Sequence, residues 1–200
     1  MSLRRGPKFQ ISASPRSGRT IAAVDLSSLA RAAARGERDG AESLVRETLV
    51  DVWRFCRSQV GANDADDTTQ DTYLRAWRSL SEGAAPDDVR AWLMTIAYRA
   101  CADCIRRAER QRRRQDAIRA QPGETWGAPA DEDLGLYDEL LSVLGPDRRA
   151  AFVLTQLLGY TYAETAEICG TGVGTVRSRI ARAREDLIRA RQINLRQRWV

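Results

Sequence analysis

Apolar residues along the chain recur every three or four positions, and no segment shows the strict alternation that a half-buried strand requires. The pattern predicts helices throughout. A first helix begins after Asp25 and ends near Gly36. A second covers about 41–60 and sets Leu44, Val45, Leu49, Val52, Trp53, Cys56 and Val60 on one face before Gly61 stops it. A third runs from Asp64 to Leu80, with Tyr73, Leu74, Trp77 and Leu80 as its apolar side. Its acids cluster in the first turns, where the helix dipole favours them. The stretch SEGAAPDD reads as a loop, with Pro86 placed for a first helical turn. A fourth helix, about 87–114, buries Val89, Trp92, Leu93, Ile96, Ala97, Ala100, Cys101, Cys104 and Ile105.

The periodicity lapses over 116–133, where QPGETWGAPADED brings two Pro, two Gly and an acidic finish. Four shorter helices follow: 134–144 closing at Gly145-Pro146, 147–158 closing at Gly159, 162–169 closing at Gly170, and 174–191. Residues 1–20 are basic and contain Pro7 and Pro15, so they read as a flexible arm. The expected architecture is all-α. Two small helical domains, 21–115 and 134–191, are joined by an acidic flexible linker over 116–133 and followed by a tail over 192–200.

Composition narrows the functions open to such a chain. Apolar residues make up 43% of it and charged residues 30%, enough to bury a core. His is absent, which removes imidazole as a general base, the Ser-His and Cys-His dyads, and His-containing metal sites. No cofactor or metal site is expected. Of the 32 basic residues only Lys8 is Lys, a ratio best read as codon bias in a GC-rich genome. No apolar run reaches membrane-span length, and the start MSLRRGPKFQ lacks the apolar stretch of a signal peptide, so a cytoplasmic protein with no membrane insertion is expected. Cys101 and Cys104 have CxxC spacing but sit in a helical pattern with no second pair, and they read as small packing residues.

The net charge of +5 conceals alternating blocks. Seven acids fall in 61–88 against two Arg, eight Arg in 99–119, six acids and no base in 120–142, and eight Arg in 177–198. Such blocks suit separate surfaces for polyanion and for basic protein, although solvated helix faces produce them too.

The strongest local signal is TYAETAEICGTGVGTVRSRIARARE. Thr161 with Glu164 three residues on makes a capping box, and Ala163, Ala166 and Ile168 face inward. A short turn with Gly170 and Gly172 leads to a second helix that buries Val176 and Ile180. Two short helices across a Gly-containing turn are a helix-turn-helix pattern, whose second helix enters the major groove. Thr175, Arg177, Ser178, Arg179 and Arg182 fall on that helix's first turns and outward face. Arg grips guanine bidentately, and hydroxyls hold phosphate.

The stretch LLSVLGPDRRAAFVLTQLLGYTYAETAEICGTGVGTVRSRIARAREDL resembles region 4 of bacterial extracytoplasmic-function sigma factors. DADDTTQDTYLRAW followed by VRAWLMTIAYRACADCIRR resembles region 2 of the same group, in the right order and at the right distance. The resemblance covers about residues 25–190. It implies a subunit that binds core RNA polymerase, through the β′ clamp helices and the β subunit, and directs it to promoter DNA without catalytic residues of its own. It also leaves room for an anti-sigma factor as a partner.

Residue by residue, the resemblance implies that Asp66, Asp67, Gln70 and Asp71 dock on the β′ clamp helices. It implies that Arg90, Arg99, Arg106 and Arg107 hold the −10 region while it is melted. Thr175, Arg177, Ser178, Arg179 and Arg182 then approach the −35 element. Trp92 matches a packing Trp of the family, and Asp103 an Asp that pairs with a neighbouring Arg. The acidic linker matches a segment that threads the polymerase RNA channel. Two features depart from the pattern: Arg99 stands where the family often has Asn, and SEGAAPDD lacks the aromatic many relatives carry. The contrasting reading is a free-standing helix-turn-helix regulator that binds an operator. A recombinase would need a mixed α/β catalytic domain, and 21–115 reads as all helix.

Overall fold

The computed structural model describes residues 25–116 and 140–197, and all regular structure among them is helical. The arm over 1–20 and nearly all of the 116–133 linker lie outside the described residues. Four helices form the first group: α1 (Leu26–Ala34), α2 (Arg38–Val60), α3 (Ala62–Ser81) and α4 (Val89–Asp116). The second group holds α5 (Pro146–Phe152), continued by a π-helical turn over Val153–Leu157, then α6 (Tyr162–Cys169) and α7 (Val173–Gln197).

Local chemistry sets the boundaries. Asp25 caps α1, its carboxylate accepting from the amides of Ser27 and Ser28. Only Gly61 separates α2 from α3. The fourth helix begins later than Pro86 suggests, because the Asp88 carboxylate accepts from the Ala91 amide at 3.0 Å and ends the loop as an N-cap. In the second group Pro146 occupies the first helical turn of α5. The helix expected to stop at 191 continues to Gln197. A run of Arg with Leu187 and Ile188 gives it no breaker.

The cores correct the periodicity at three places. Leu49 is 41% exposed while Thr48 beside it is buried. The Thr48 hydroxyl donates to the Leu44 carbonyl and lies 2.8 Å from the Tyr73 hydroxyl, so the polar residue is satisfied inside. Leu74 is 56% exposed because the buried stripe of α3 is Ala65, Thr68, Thr69, Thr72, Tyr73, Ala76 and Leu80. Ala163 is exposed and Glu164 and Thr165 are buried in its place. At the α1–α2 crossing, a Cβ on Gly40 would lie 2.5 Å from the Ala32 Cβ, so only glycine lets the two helices approach this closely.

The two groups do not keep separate cores. One buried cluster runs from Leu44, Phe55, Leu93 and Met94 of the first group through Leu144, Leu154, Tyr160 and Ile168 of the second. Helix α4 packs against α6, and α2 against α5. Cys101 lies against Cys56 inside this cluster, and that neighbour together with burial pushes the Cys101 thiol up. A thiol held protonated in this way is a packing group, as the CxxC reading expected.

Candidate polymerase and promoter interfaces

The exposed side of α3 is acidic at its N-terminal end. Asp66, Asp67 and Gln70 are exposed. Asp66 accepts a hydrogen bond from the Trp53 indole at 2.7 Å, and the Arg57 guanidinium lies 5.3 Å over that ring. Asp71 is half-buried and turns the other way, paired with Arg75 at 2.8 Å and 3.9 Å from Arg107. Asp67 and Gln70 therefore form the free part of the sequence-predicted set, with Leu74 one turn further on. Reading Leu74 as core missed it as part of this face. An apolar residue beside two polar ones on a helix surface suits a partner that buries it.

The basic residues of α4 divide in the same way. Arg90 is held by Asp51 at 3.1 Å and faces the interior of the first group. Arg99 is exposed on α4. Arg106 pairs with Asp103 at 2.5 Å, and Arg107 donates to the Asp103 carbonyl at 3.3 Å; both remain exposed. Asp103 also takes Arg75 at 2.7 Å, as the pairing expectation had it. The Arg75 and Arg106 guanidiniums hold the Asp103 carboxyl below its ordinary value. Trp92 packs partly buried against the core.

The second group builds the helix-turn-helix. Thr161 caps α6: its hydroxyl accepts from the Glu164 amide, and the Glu164 carboxylate reaches back to the Thr161 amide at 2.7 Å and hydroxyl at 2.9 Å. This explains how a carboxylate lies buried at this position. Gly170 ends α6 in the left-handed region, at φ 62°, which a side chain rarely adopts. Helix α7 then seats Val176 and Ile180 against Ala151, Ala166 and Tyr162. That seating leaves Val173, Thr175, Arg177, Ser178 and Arg182 on the open side.

Arg179 does not share that face. Its side chain is only 20% exposed and its guanidinium pairs with Asp147 of α5. One α7 turn pair away, Arg148 of α5 binds Asp186. Two ion pairs of opposite polarity thus fasten α5 to α7, seven residues apart on the longer helix. The expectation that Arg179 points outward with Arg177 and Ser178 is corrected: the 3.6-residue period carries position 179 toward the buried stripe of Val176, Ile180 and Ala183.

A helix-turn-helix reader packed on an acidic-faced helical bundle defines a DNA-binding protein with a second, protein-facing surface. Known proteins combine the same parts. Residues 44–111 match the model of sigma-70 region 2, and residues 134–187 that of sigma-70, region 4. The ECF RNA polymerase sigma factor SigC of Mycobacterium tuberculosis is 37% identical over 175 residues, covering 82% of this chain and 89% of its own length. The structure of CnrH in complex with the cytosolic domain of CnrY superposes with a TM-score of 0.65 at 27% identity, over 84% of this chain and 97% of CnrH. The sigma factor RpoE of Bartonella quintana, in complex with the anti-sigma factor NepR, gives 0.60 at 29% identity, over 73% and 92%. The chain belongs to the extracytoplasmic-function group of RNA polymerase sigma factors. It is a transcription-initiation factor that acts with core RNA polymerase on promoter DNA.

Proposed function

We propose that this sigma factor divides its work between its two helical groups, 21–115 acting on core polymerase and the −10 element and 134–191 on the −35 element, with 116–133 as the linker. Asp67 and Gln70, with Asp66 and Leu74 beside them, dock on the β′ clamp helices. Their mixture of charge, amide and apolar side chain on one exposed face suits a basic coiled coil. Asp71 acts by holding Arg75 and Arg107 in place.

Thr175, Arg177, Ser178 and Arg182 read the −35 element. The observation that carries this assignment is the seating of α7: Val176 and Ile180 are buried at 0% and 1%, so these four side chains project together from the helix's first turns. Arg99, Arg106 and Arg107 hold the strand separated at −10, while Arg90 serves the fold through Asp51. The chain supplies no catalytic residue of its own. The relatives crystallised with NepR and CnrY support an anti-sigma partner for this chain too. Among the described residues no helix is long and apolar enough to cross a membrane, which supports a cytoplasmic site of action.

A gel shift on a promoter library with the protein, core polymerase and both together tests the assignment. Selective binding and strand opening only in the mixture support it. Selective operator binding by the protein alone, unchanged by polymerase, would hand the reading helix to a regulator's role.

A further inference from the structure

Three consecutive residues at the start of α5 each bind a different target. Asp147 holds Arg179 and Arg148 holds Asp186, both on α7. Arg149 reaches in another direction, across to the first helical group. Its Nη1 donates to the Ser58 carbonyl at 3.1 Å and the Gln59 carbonyl at 3.4 Å, in the last turn of α2. Its Nη2 donates to the carbonyls of Leu144 at 2.9 Å and Ser142 at 3.4 Å. A helix C-terminus leaves its last carbonyls without intrahelical partners and carries partial negative charge, so a guanidinium fork is matched to it in shape and sign.

Other groups close the same seam. Tyr160, 4% exposed, borders a small gap lined by Thr48, Asp51 and Val52 of α2 and Arg90, Leu93 and Met94 of α4. Tyr98 of α4 faces Cys169, Asp147 and Arg179, and burial there pushes its hydroxyl above the ordinary phenol value. The side chain that ties α7 to α5 is thus covered by the first group.

This arrangement conflicts with the work of reading two elements at once. The positions for which the −35 and −10 elements are named lie about 25 base pairs apart, roughly 85 Å of duplex at 3.4 Å per step. A compact body of about 150 residues has a radius of gyration near 15 Å and is only about 40 Å across. Both readers cannot reach their elements while they share one core.

We infer that the structure is a closed, self-restrained state of the sigma factor, latched by Arg149 on the C-terminal end of α2, and that engaging the promoter with polymerase requires the latch to release. The inference rests on the two-element reading above. Asp67 and Gln70 stay exposed in the closed state, so polymerase docks on α3 first and opening follows. The closed population lowers the apparent affinity for any partner that needs the groups apart, in proportion to the fraction that is open.

The test compares the full chain with its Arg149→Ala, Arg149→Lys and Arg148→Ala variants by small-angle X-ray scattering, with circular dichroism to verify helicity. Arg149→Ala is expected to raise the radius of gyration and add a second maximum to the pair-distance distribution at unchanged helicity. Arg149→Lys, which keeps the charge but loses the fork, should do so more weakly. Arg148→Ala, whose ion pair lies within the second group, should leave the dimensions as they are. Loss of charged hydrogen bonds of this kind shifts the open-to-closed ratio by roughly ten- to a hundredfold. Apparent affinity for core polymerase with promoter should rise in the same order of variants.

Unchanged dimensions in both Arg149 variants would overturn the latch. If Arg149→Ala loses helicity, Arg149→Lys decides. An equal expansion in Arg148→Ala would also overturn it, since any weakening of the second group would then open the seam. Promoter-specific transcription by the wild-type holoenzyme is scored separately: its failure would strike the two-element reading, whatever the scattering shows.

Discussion

At the scale of single residues, neighbouring arginines on one helix carry different duties. Arg177 projects from α7, while Arg179 two residues later is pinned on Asp147. Arg177→Ala should weaken −35 binding by about 1–3 kcal/mol, the worth of a bidentate base contact, and leave core-polymerase binding intact. A quantitative promoter-binding assay checks this, and loss of core binding would contradict it. Arg179→Ala should instead lower the melting temperature, because it strands the Asp147 carboxylate, and it should not relax −35 sequence preference as Arg177→Ala does. Calorimetry beside a base-substitution series separates the two.

Tyr73 shows a residue-scale effect that titration reads. Its hydroxyl is buried beside the Thr48 hydroxyl, and burial pushes its pKa up to about 12. The folded state holds the proton more tightly than the unfolded chain, whose phenol titrates near 10. Its contribution is therefore complete below pH 10 and lost as pH rises toward about 12. Tyr73→Phe should flatten the alkaline limb of the stability profile, and an unaltered limb would show that other groups set it.

At the scale of elements, caps and crossings decide where helices begin and how they meet. The capping box of α6 satisfies its first amides and buries Glu164 at once. Glu164→Ala should cost about 1 kcal/mol of stability, the usual worth of such a cap. Since α6 also packs on α4, the loss should be felt in global unfolding and not only in local fraying. Hydrogen exchange at the Glu164 amide, set against that of core amides, distinguishes those outcomes. On α3, the exposed face rather than the whole helix makes the docking surface. Asp67→Arg and Gln70→Ala should therefore reduce association with core polymerase while far-UV dichroism stays unchanged. Equal affinity for core in both variants would remove the assignment.

At the scale of the whole molecule, helical existence and order followed from the sequence, and so did the helix-turn-helix. Val176 and Ile180 fall inside as their spacing demanded, and Thr161 with Glu164 made the box their types announced. Less accessible was which residue of a near-tie turns inward. Thr48 displaced Leu49 from the core because Leu44 and Tyr73 supply its hydroxyl with partners from two helices. Leu74 was misplaced because periodicity fixes a face only to within one position of the stripe. The whole molecule also carries acid sensitivity. Asp103 is held below its ordinary value by Arg75 and Arg106, so its contribution is present above the unfolded carboxyl range and lost as pH falls through the lower folded value. Asp103→Asn should make the acid limb shallower in a urea series run at stepped pH.

The sequence by itself determined the helices, the capping chemistry, the reading helix and its family, since each depends on residue types a few positions apart. Only the tertiary structure decided that the two groups share a core, that Arg179 faces Asp147, and that Arg149 spans 90 residues to the end of α2. Those outcomes depend on which surfaces meet. A local pattern sets the character of each face, but the pairing of faces from distant segments is chosen by the packing and electrostatics of the folded whole.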